Sequence, residues 1–257
     1  VREIRLYDSL SGQLVPVSAG DAIRVEVRSS PIGTDGGVDV ESTRPLVLFS
    51  FLERFLQREG FGTKFLFDSP TSEDMLYELS EEHEPLSAPD STGECDTEMS
   101  LLEVPRSDVD RWVNVCFGAT RDGEQPEPTP EGERILLSDA LKNFGHPAVA
   151  MYLLGTHYSM PLGDPLTGLL TGSKNAGRIR DAARTLTPDK PSPPDMRHHI
   201  EAFRDALAND LDTPLALVVL FEWVLEAERR GGEVGDNDLR VMLEVLELDD
   251  LAAPLEA

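Results

Sequence analysis

Strand-period segments in this chain are confined to its first 117 residues, and beyond them every apolar pattern is helical. That single change of period limits the architecture more than any other feature. Ile4-Arg5-Leu6-Tyr7 and Leu14-Val15-Pro16-Val17 are short apolar runs, and Ile23-Arg24-Val25-Glu26-Val27 alternates with period two. Thr63-Lys64-Phe65-Leu66-Phe67 and Trp112-Val113-Asn114-Val115-Cys116-Phe117 complete the set of predicted strands. Between the third and fourth of these, Arg44 to Gln57 places Leu46, Val47, Phe49, Leu52, Phe55 and Leu56 at helical spacing. Pro45 falls in the first turn of that helix, where its missing N–H costs no hydrogen bond. A strand, helix, strand unit is therefore expected early in the chain.

Ile135 to Leu141 and Ala148 to Leu154 predict helices, and the remainder reads as all-helical. Asp212-Thr213-Pro214 joins a capping residue to a proline suited to a helix start, leading into Leu215 to Ala227, and a last helix is expected over Asp238 to Leu248. Ser80 to Asp110 is acidic and carries the breakers Pro85, Pro89 and Pro105, while Arg121 to Glu133 is rich in proline, glutamate and glycine. Both stretches read as loops that interrupt the core. No fixed-period repeat is present. A length of 257 residues suits one large domain or a core with a helical appendage.

Composition constrains partners. Lys and Arg number 23 against 48 Asp and Glu, a net charge of −25. A field of that sign opposes polyanions, whose binding depends on basic groups neutralising phosphates. The lysines are Lys64, Lys142, Lys174 and Lys190 alone, and Arg178, Arg180 and Arg184 form one modest basic stretch, read as a solvated helix face ahead of a phosphate-binding strip. Cys95 and Cys116 show no CxxC spacing, so a disulfide framework is not expected. No apolar run approaches the roughly 20 residues of a membrane span. Val1 to Arg5 also lacks a secretory apolar region. The expectation is a cytoplasmic protein with no membrane partner.

Several segments, taken in order, resemble the cysteinyl-tRNA synthetases and the related ligase that joins cysteine to glucosaminyl inositol in mycothiol synthesis. Asp139-Ala140-Leu141-Lys142-Asn143-Phe144 followed by His146 to Tyr158 is similar to the family stretch after the KMSKS loop, ending in its threonine-histidine-tyrosine signature at Thr156-His157-Tyr158. Phe203 to Trp223, with Asn209-Asp210-Leu211-Asp212-Thr213-Pro214 inside it, resembles the helical module of the family. Leu6-Tyr7-Asp8 and Arg44 to Phe49 resemble the first strand and the helix after the HIGH signature. The resemblance spans about three quarters of the chain. It implies an α/β fold with a Rossmann-like class I synthetase core and a shortened insert over residues 1–138, then a C-terminal helical bundle over 139–257 that combines stem-contact and anticodon-binding-like parts. Fold alone does not carry activity.

The departures bear on chemistry. Counting back from Arg44, the HIGH position falls on Asp39-Val40-Glu41-Ser42, so carboxylates stand where the resemblance implies histidine contacts to ATP phosphates. Negative charge there opposes a triphosphate by Coulomb repulsion. Asp122-Gly123-Glu124 resembles the approach to the KMSKS loop, but Gln125-Pro126-Glu127-Pro128-Thr129 follows and both lysines are absent. Such phosphate contacts are worth orders of magnitude in rate. The family zinc needs several converging ligands. Here Arg28 to Ser30 offers no cysteine, Cys95 stands alone in Glu94 to Ser100, and Pro70-Thr71 replaces a threonine-aspartate pair of the substrate pocket.

Other constellations are weaker. Gly33-Thr34-Asp35-Gly36-Gly37 lacks the lysine and spacing of a P-loop and reads as a turn. His198 and His199 precede a predicted helix with no metal-binding pattern nearby, His157 reads as packing at the junction of the two parts, and no serine lies in a nucleophile elbow. No catalytic, cofactor-binding or metal-binding residue is assigned, and no cofactor is expected. The reading is a catalytically degenerate synthetase-like protein that binds a ligand, a protein partner or a second copy of itself, tRNA being disfavoured. The acidic stretches Glu73 to Glu84 and Gln125 to Glu133 would steer a basic partner, or be plain solvated loops. The alternative is a divergent ATP-dependent cysteine or amino-acid ligase in which Asp35, Asp39 and Glu41 hold a divalent metal with nucleotide.

Overall fold

The structure, a computed structural model, describes residues 2–18, 21–27, 37–60, 64–68, 111–117, 134–231 and 234–252. Strands β1 (Arg5–Asp8) and β2 (Gln13–Pro16) pair antiparallel, with Leu6 opposite Val15. The period-two segment becomes β3 (Asp21–Val27), in which Ile23 and Val25 are shut off from solvent and Arg24 is exposed. Helix α1 (Arg44–Arg58) follows, then β4 (Lys64–Asp68) and β5 (Arg111–Phe117). Both strands pair parallel to β3, one on each side, in the order β4-β3-β5, with Ile23 opposite Phe65 on one side and Val113 on the other. The strand, helix, strand expectation is thus met as two parallel neighbours joined by a helix, the arrangement that needs a long crossover.

Seven helices are described in all. Those after α1 are α2 (Leu137–Phe144), α3 (His146–Leu154), α4 (Pro165–Ala183), α5 (Arg197–Ala208), α6 (Thr213–Arg230) and α7 (Asn237–Val245). Asp212 caps α6 by accepting the Leu215 N–H at 3.0 Å, and Asp164 caps α4 through the Thr167 N–H at 2.8 Å. The architecture is mixed α/β. Val113, Val115 and Phe117 on β5 join Ile23 and Val25 in a buried cluster that also contains Phe51 and Phe55 of α1, Phe203 of α5 and Trp223 of α6. One apolar core therefore runs from the sheet into the late helices. A smaller cluster gathers Val40, Ala140, Val149, Tyr152, Leu153 and Leu169.

Among the helix boundaries that differ from the sequence reading, three have a local cause. α2 begins at Leu137 and not at Ile135, because residues 135 and 136 are held by a main-chain bridge to residues 38–40. α7 ends at Val245, because Glu247 takes a left-handed φ of 58° before a short 3-10 turn at Asp249–Leu251. His198 and His199 lie inside the first turn of α5, since the 3-10 turn Pro194–Met196 starts the helix just ahead of them.

α4 packs on α3 with backbone-to-backbone intimacy at Gly172. A β-carbon there would stand 2.5 Å from the Ala148 carbonyl oxygen and 3.1 Å from its Cα, contacts that no side-chain rotation can relieve. Alanine is the better helix former by about 1 kcal/mol. Forcing two packed helices apart costs more, about 1–3 kcal/mol. Gly172→Ala is accordingly expected to lose stability, by about 1 kcal/mol net, in a urea melt, whereas Gly177→Ala, where a β-carbon meets nothing within 4 Å, is expected to gain it.

Candidate functional site

In an open parallel sheet, ligand crevices form outside the carboxyl ends of the strands, where neighbouring strands send their connections in different directions. Here that place is the end of β3 and β5, since β3 connects through α1 to β4 on its other side. α1 carries the chain from the carboxyl end of β3 back to the start of β4, so Asp39 to Thr43, just before it, belong to this end of the sheet by connectivity. They form an isolated bridge at Asp39 and a 3-10 turn at Glu41–Thr43.

Arg44 opens α1 with its guanidinium pointed away from solvent, at 8% exposure. Its Nε donates to the Leu153 carbonyl at 3.1 Å, Nη1 to Met160 at 2.8 Å, and Nη2 to His157 at 2.8 Å and to Thr156. Burial lowers its pKa to about 10, with Tyr152 and Glu41 opposing, so it remains charged at neutral pH. This one side chain holds the loop between α3 and α4 by its backbone. Arginine is suited to the task because its planar fork presents five donors.

Both carboxylates of the Asp39 to Glu41 stretch have partners. Arg134 places Nε (2.8 Å) and Nη2 on Asp39 Oδ2, leaving Oδ1 buried without a hydrogen-bond partner. The Tyr152 hydroxyl stands 2.8 Å from Glu41 Oε1 and 2.9 Å from the Gly163 carbonyl. Burial and then Glu41 raise the pKa of that phenol, which stays protonated and donating. Asp35, the third residue of the metal reading, lies outside the described residues. Among the described residues no group of three or more His, Cys, Asp or Glu is arranged to hold a metal ion.

His157, Ser159 and Asp210 resemble a serine-histidine-aspartate set at first sight. Their geometry argues for construction. His157 Nε2 lies 2.9 Å from the Asp210 carbonyl, which can only accept, so the proton sits on Nε2. Nδ1 then accepts from Ser159, whose hydroxyl is at 2.8 Å and whose N–H is at 3.3 Å. Ser159 is 7% exposed, and the Asp210 carboxylate is spent on the Tyr7 N–H at 2.7 Å and the Tyr158 hydroxyl. Asp210 and Leu211 hold φ values of 63° and 52°, and Thr213 donates its hydroxyl to the Leu154 carbonyl at 2.7 Å. The Thr156-His157-Tyr158 stretch is thus gripped by Arg44 from one side and by the turn before α6 from the other.

β1 is tied to the same assembly through Asp8. Its Oδ1 accepts the Asn114 N–H at 2.8 Å and side-chain amide at 3.0 Å, and Oδ2 accepts the Ser11 N–H at 2.9 Å. Burial opposes ionisation, but these donors from Ser11 and Asn114 outweigh it and hold the carboxyl below its ordinary value. A depressed carboxyl pKa contributes stability above the unfolded value, near 4, and loses it as pH falls through the folded one. Asp8→Asn is expected to flatten the acid limb of the stability curve below about pH 4, followed by circular dichroism during acid titration.

The remaining named residues lie elsewhere or outside the described set. His198 and His199 stand side by side, ring centroids 4.0 Å apart, in a shallow open depression with Glu222, Glu226, Arg229 and Arg230. Burial, then His198, lowers the pKa of His199. Arg178 pairs with Glu228 at 2.8 Å and Arg184 with Asp181 at 2.9 Å, in keeping with a solvated, internally neutralised helix face. Cys95, Gly33 to Gly36, Arg28 to Ser30, Pro70-Thr71, Glu73 to Glu84 and Arg121 to Glu133 lie outside the described residues. Arg44, Arg134 and Tyr152 were not singled out from sequence. No helix among the described residues is long and apolar enough to cross a membrane.

Comparison with known proteins follows the same lines. The chain is similar to the cysteine–tRNA ligase of Thermus thermophilus, 33% identical over 107 residues, which are 38% of this chain and 22% of that protein. It is similar to that of Alkalilimnicola ehrlichii, 32% identical over 131 residues, 51% of the chain and 27% of the relative. The ligase of Fervidobacterium nodosum is 28% identical over 112 residues, 41% and 24% of the two chains. The matched stretches span about a quarter of the length of these relatives. No protein-family model matches.

Proposed function

The chain is cysteinyl-tRNA synthetase-like, and from that premise we propose that it is a catalytically degenerate form that binds a small ligand or a protein partner through the crevice at the sheet end. The observation that carries this reading is the internal pairing of Asp39 with Arg134 and of Glu41 with Tyr152. Both carboxylates already have protein partners, with Oδ1 of Asp39 alone left buried without one. A triphosphate would meet like charge there, a cost that grows where water is excluded. The domain division at 138/139, with a Rossmann-like core before it and a helical bundle after it, is part of the same reading, as are a cytoplasmic setting and an oligomer or protein partner in place of tRNA.

The test is a thermal-shift screen of the purified chain against ATP with magnesium, cysteine, zinc and a cysteinyl-adenylate analogue, since ligands that bind the folded state alone raise its apparent stability. The expected result is no shift with ATP. A clear nucleotide shift, joined by amino-acid-dependent pyrophosphate exchange above a matched blank, overturns degeneracy and establishes the divergent ligase.

A further inference from the structure

Helix α6 carries more apolar surface than the core uses. From Thr213 to Leu225 its sequence holds a single charged residue, Glu222, and a helix that is apolar all round is one that is covered all round. The core takes Ala216, Leu217, Val219, Leu220, Trp223 and Val224. Leu215 and Val218 are left 46% and 52% exposed, with Leu225 half-buried further along. Leu215, Val218, Glu222, Leu225 and Arg229 follow one another at alternating intervals of three and four residues. That spacing lines them up in one stripe, the kind of seam along which a second helix packs. With a rise of about 1.5 Å per residue the stripe is about 21 Å long. Its far end opens on the depression that Glu222, Leu225 and Arg229 of α6 line together with His198 and His199 of α5.

The charge on this face selects the kind of partner. Glu226 pairs with Arg230 at 2.7 Å and Glu228 with Arg178 at 2.8 Å, and Arg229 lies 3.6 Å from Glu226. Glu222 is exposed and enters no hydrogen bond or ion pair among the described residues. The unmatched charge of the stripe is therefore one carboxylate, in a chain whose net charge is −25. A second copy would bring the same carboxylate and the same net charge to the contact, which like-charge repulsion disfavours. A nucleic acid would bring phosphates, with the same result. We propose that the face of α6 bearing this stripe docks a basic amphipathic helix of a partner protein, whose apolar side covers Leu215, Val218 and Leu225 and whose lysine or arginine meets Glu222. The inference stands whether or not the chain binds nucleotide, because it uses none of the residues from Asp39 to Glu41.

The experiment titrates the full chain into a labelled synthetic peptide of leucine and lysine, its leucines spaced alternately three and four residues apart, and follows anisotropy at physiological ionic strength. A peptide of the same composition with its leucines scrambled serves as control. The patterned peptide is expected to bind and the scrambled one to bind far more weakly. Val218→Glu adds a carboxylate that would attract a basic peptide, yet it is expected to weaken binding about tenfold, the factor that accompanies loss of one buried valine. Glu222→Lys is expected to weaken it as well, so that two changes of opposite charge act in the same direction. Val241→Glu, at another exposed valine, on α7, is expected to leave binding unchanged. Both α6 side chains are exposed, so the urea midpoints of their variants should match the wild type. Absence of binding overturns the proposal, and so does equal binding by the scrambled peptide or tighter binding by Val218→Glu, either of which reduces the contact to net charge. Self-association in sedimentation that Val218→Glu abolishes overturns it in favour of a second copy.

Discussion

Arg44→Leu is expected to lower the unfolding free energy by about 3 kcal/mol, read as a shift of the urea midpoint with an unchanged slope. The wild-type guanidinium serves the Leu153, Thr156, His157 and Met160 carbonyls. A buried acceptor left without a donor costs about 1–3 kcal/mol, so four of them set a gross loss of about 6 kcal/mol once the part-buried members recruit water. Against this stands the burial of the charge itself. The lowering of the Arg44 pKa from 12.5 to about 10 corresponds to on the order of 3 kcal/mol already surrendered by the charged form, and leucine recovers it. The carbonyl loss wins. Arg44→Lys keeps the charge but replaces a planar fork with a single ammonium of three donors, so it is expected to fall between wild type and leucine. If leucine and lysine destabilise equally, donor geometry is not what the position requires.

That residue also marks where the sequence stops being readable. Pattern alone located the strands and α1 because alternation and 3.6-residue spacing are local: Arg24 faces solvent between Ile23 and Val25, and Phe55 is buried one turn after Phe51. Asp212-Thr213-Pro214 announced α6 for the same reason, since a cap acts within one turn. The bounds of α4 were not legible, because Gly168, Gly172 and Gly177 dilute the helical signal, the first two at positions that the fold uses for close approach. Asp39 and Glu41 could be named from their place before Arg44. Their partners could not, as Arg134 and Tyr152 lie 95 and 111 residues away. An arginine at a helix start reads as a solvated charge, and nothing local says that its fork will enter the core. His157 reads as packing from its place in the sequence, but its proton position follows only from the Asp210 carbonyl it faces.

The turn before α6 should be at least as sensitive a point, and Asp210→Ala separates its two contributions. Loss of the carboxylate removes the acceptor of the part-buried Tyr7 N–H and of the buried Tyr158 hydroxyl, at about 1–3 kcal/mol each when unsatisfied. The backbone at this position also holds φ at 63°, a conformation that costs an alanine about 1 kcal/mol or more. The expected sum is near 4 kcal/mol, again from the urea midpoint. Asp210→Asn keeps an oxygen acceptor in place and tolerates left-handed backbone, so a loss of about 1 kcal/mol is expected. A catalytic role predicts the opposite pattern. Were His157, Ser159 and Asp210 a reaction centre, asparagine would abolish activity while sparing stability. If the set is a clamp, alanine loosens the fold and asparagine leaves it nearly intact. The clamp joins β1, the loop after α3 and the start of α6 at one buried carboxylate, so its failure should also change the near-ultraviolet signal of Tyr158, whose ring packs edge-on against Phe117 at 5.3 Å. Equal destabilisation by alanine and asparagine would instead place the requirement in the charge, leaving backbone strain and donor pairing without a measurable share.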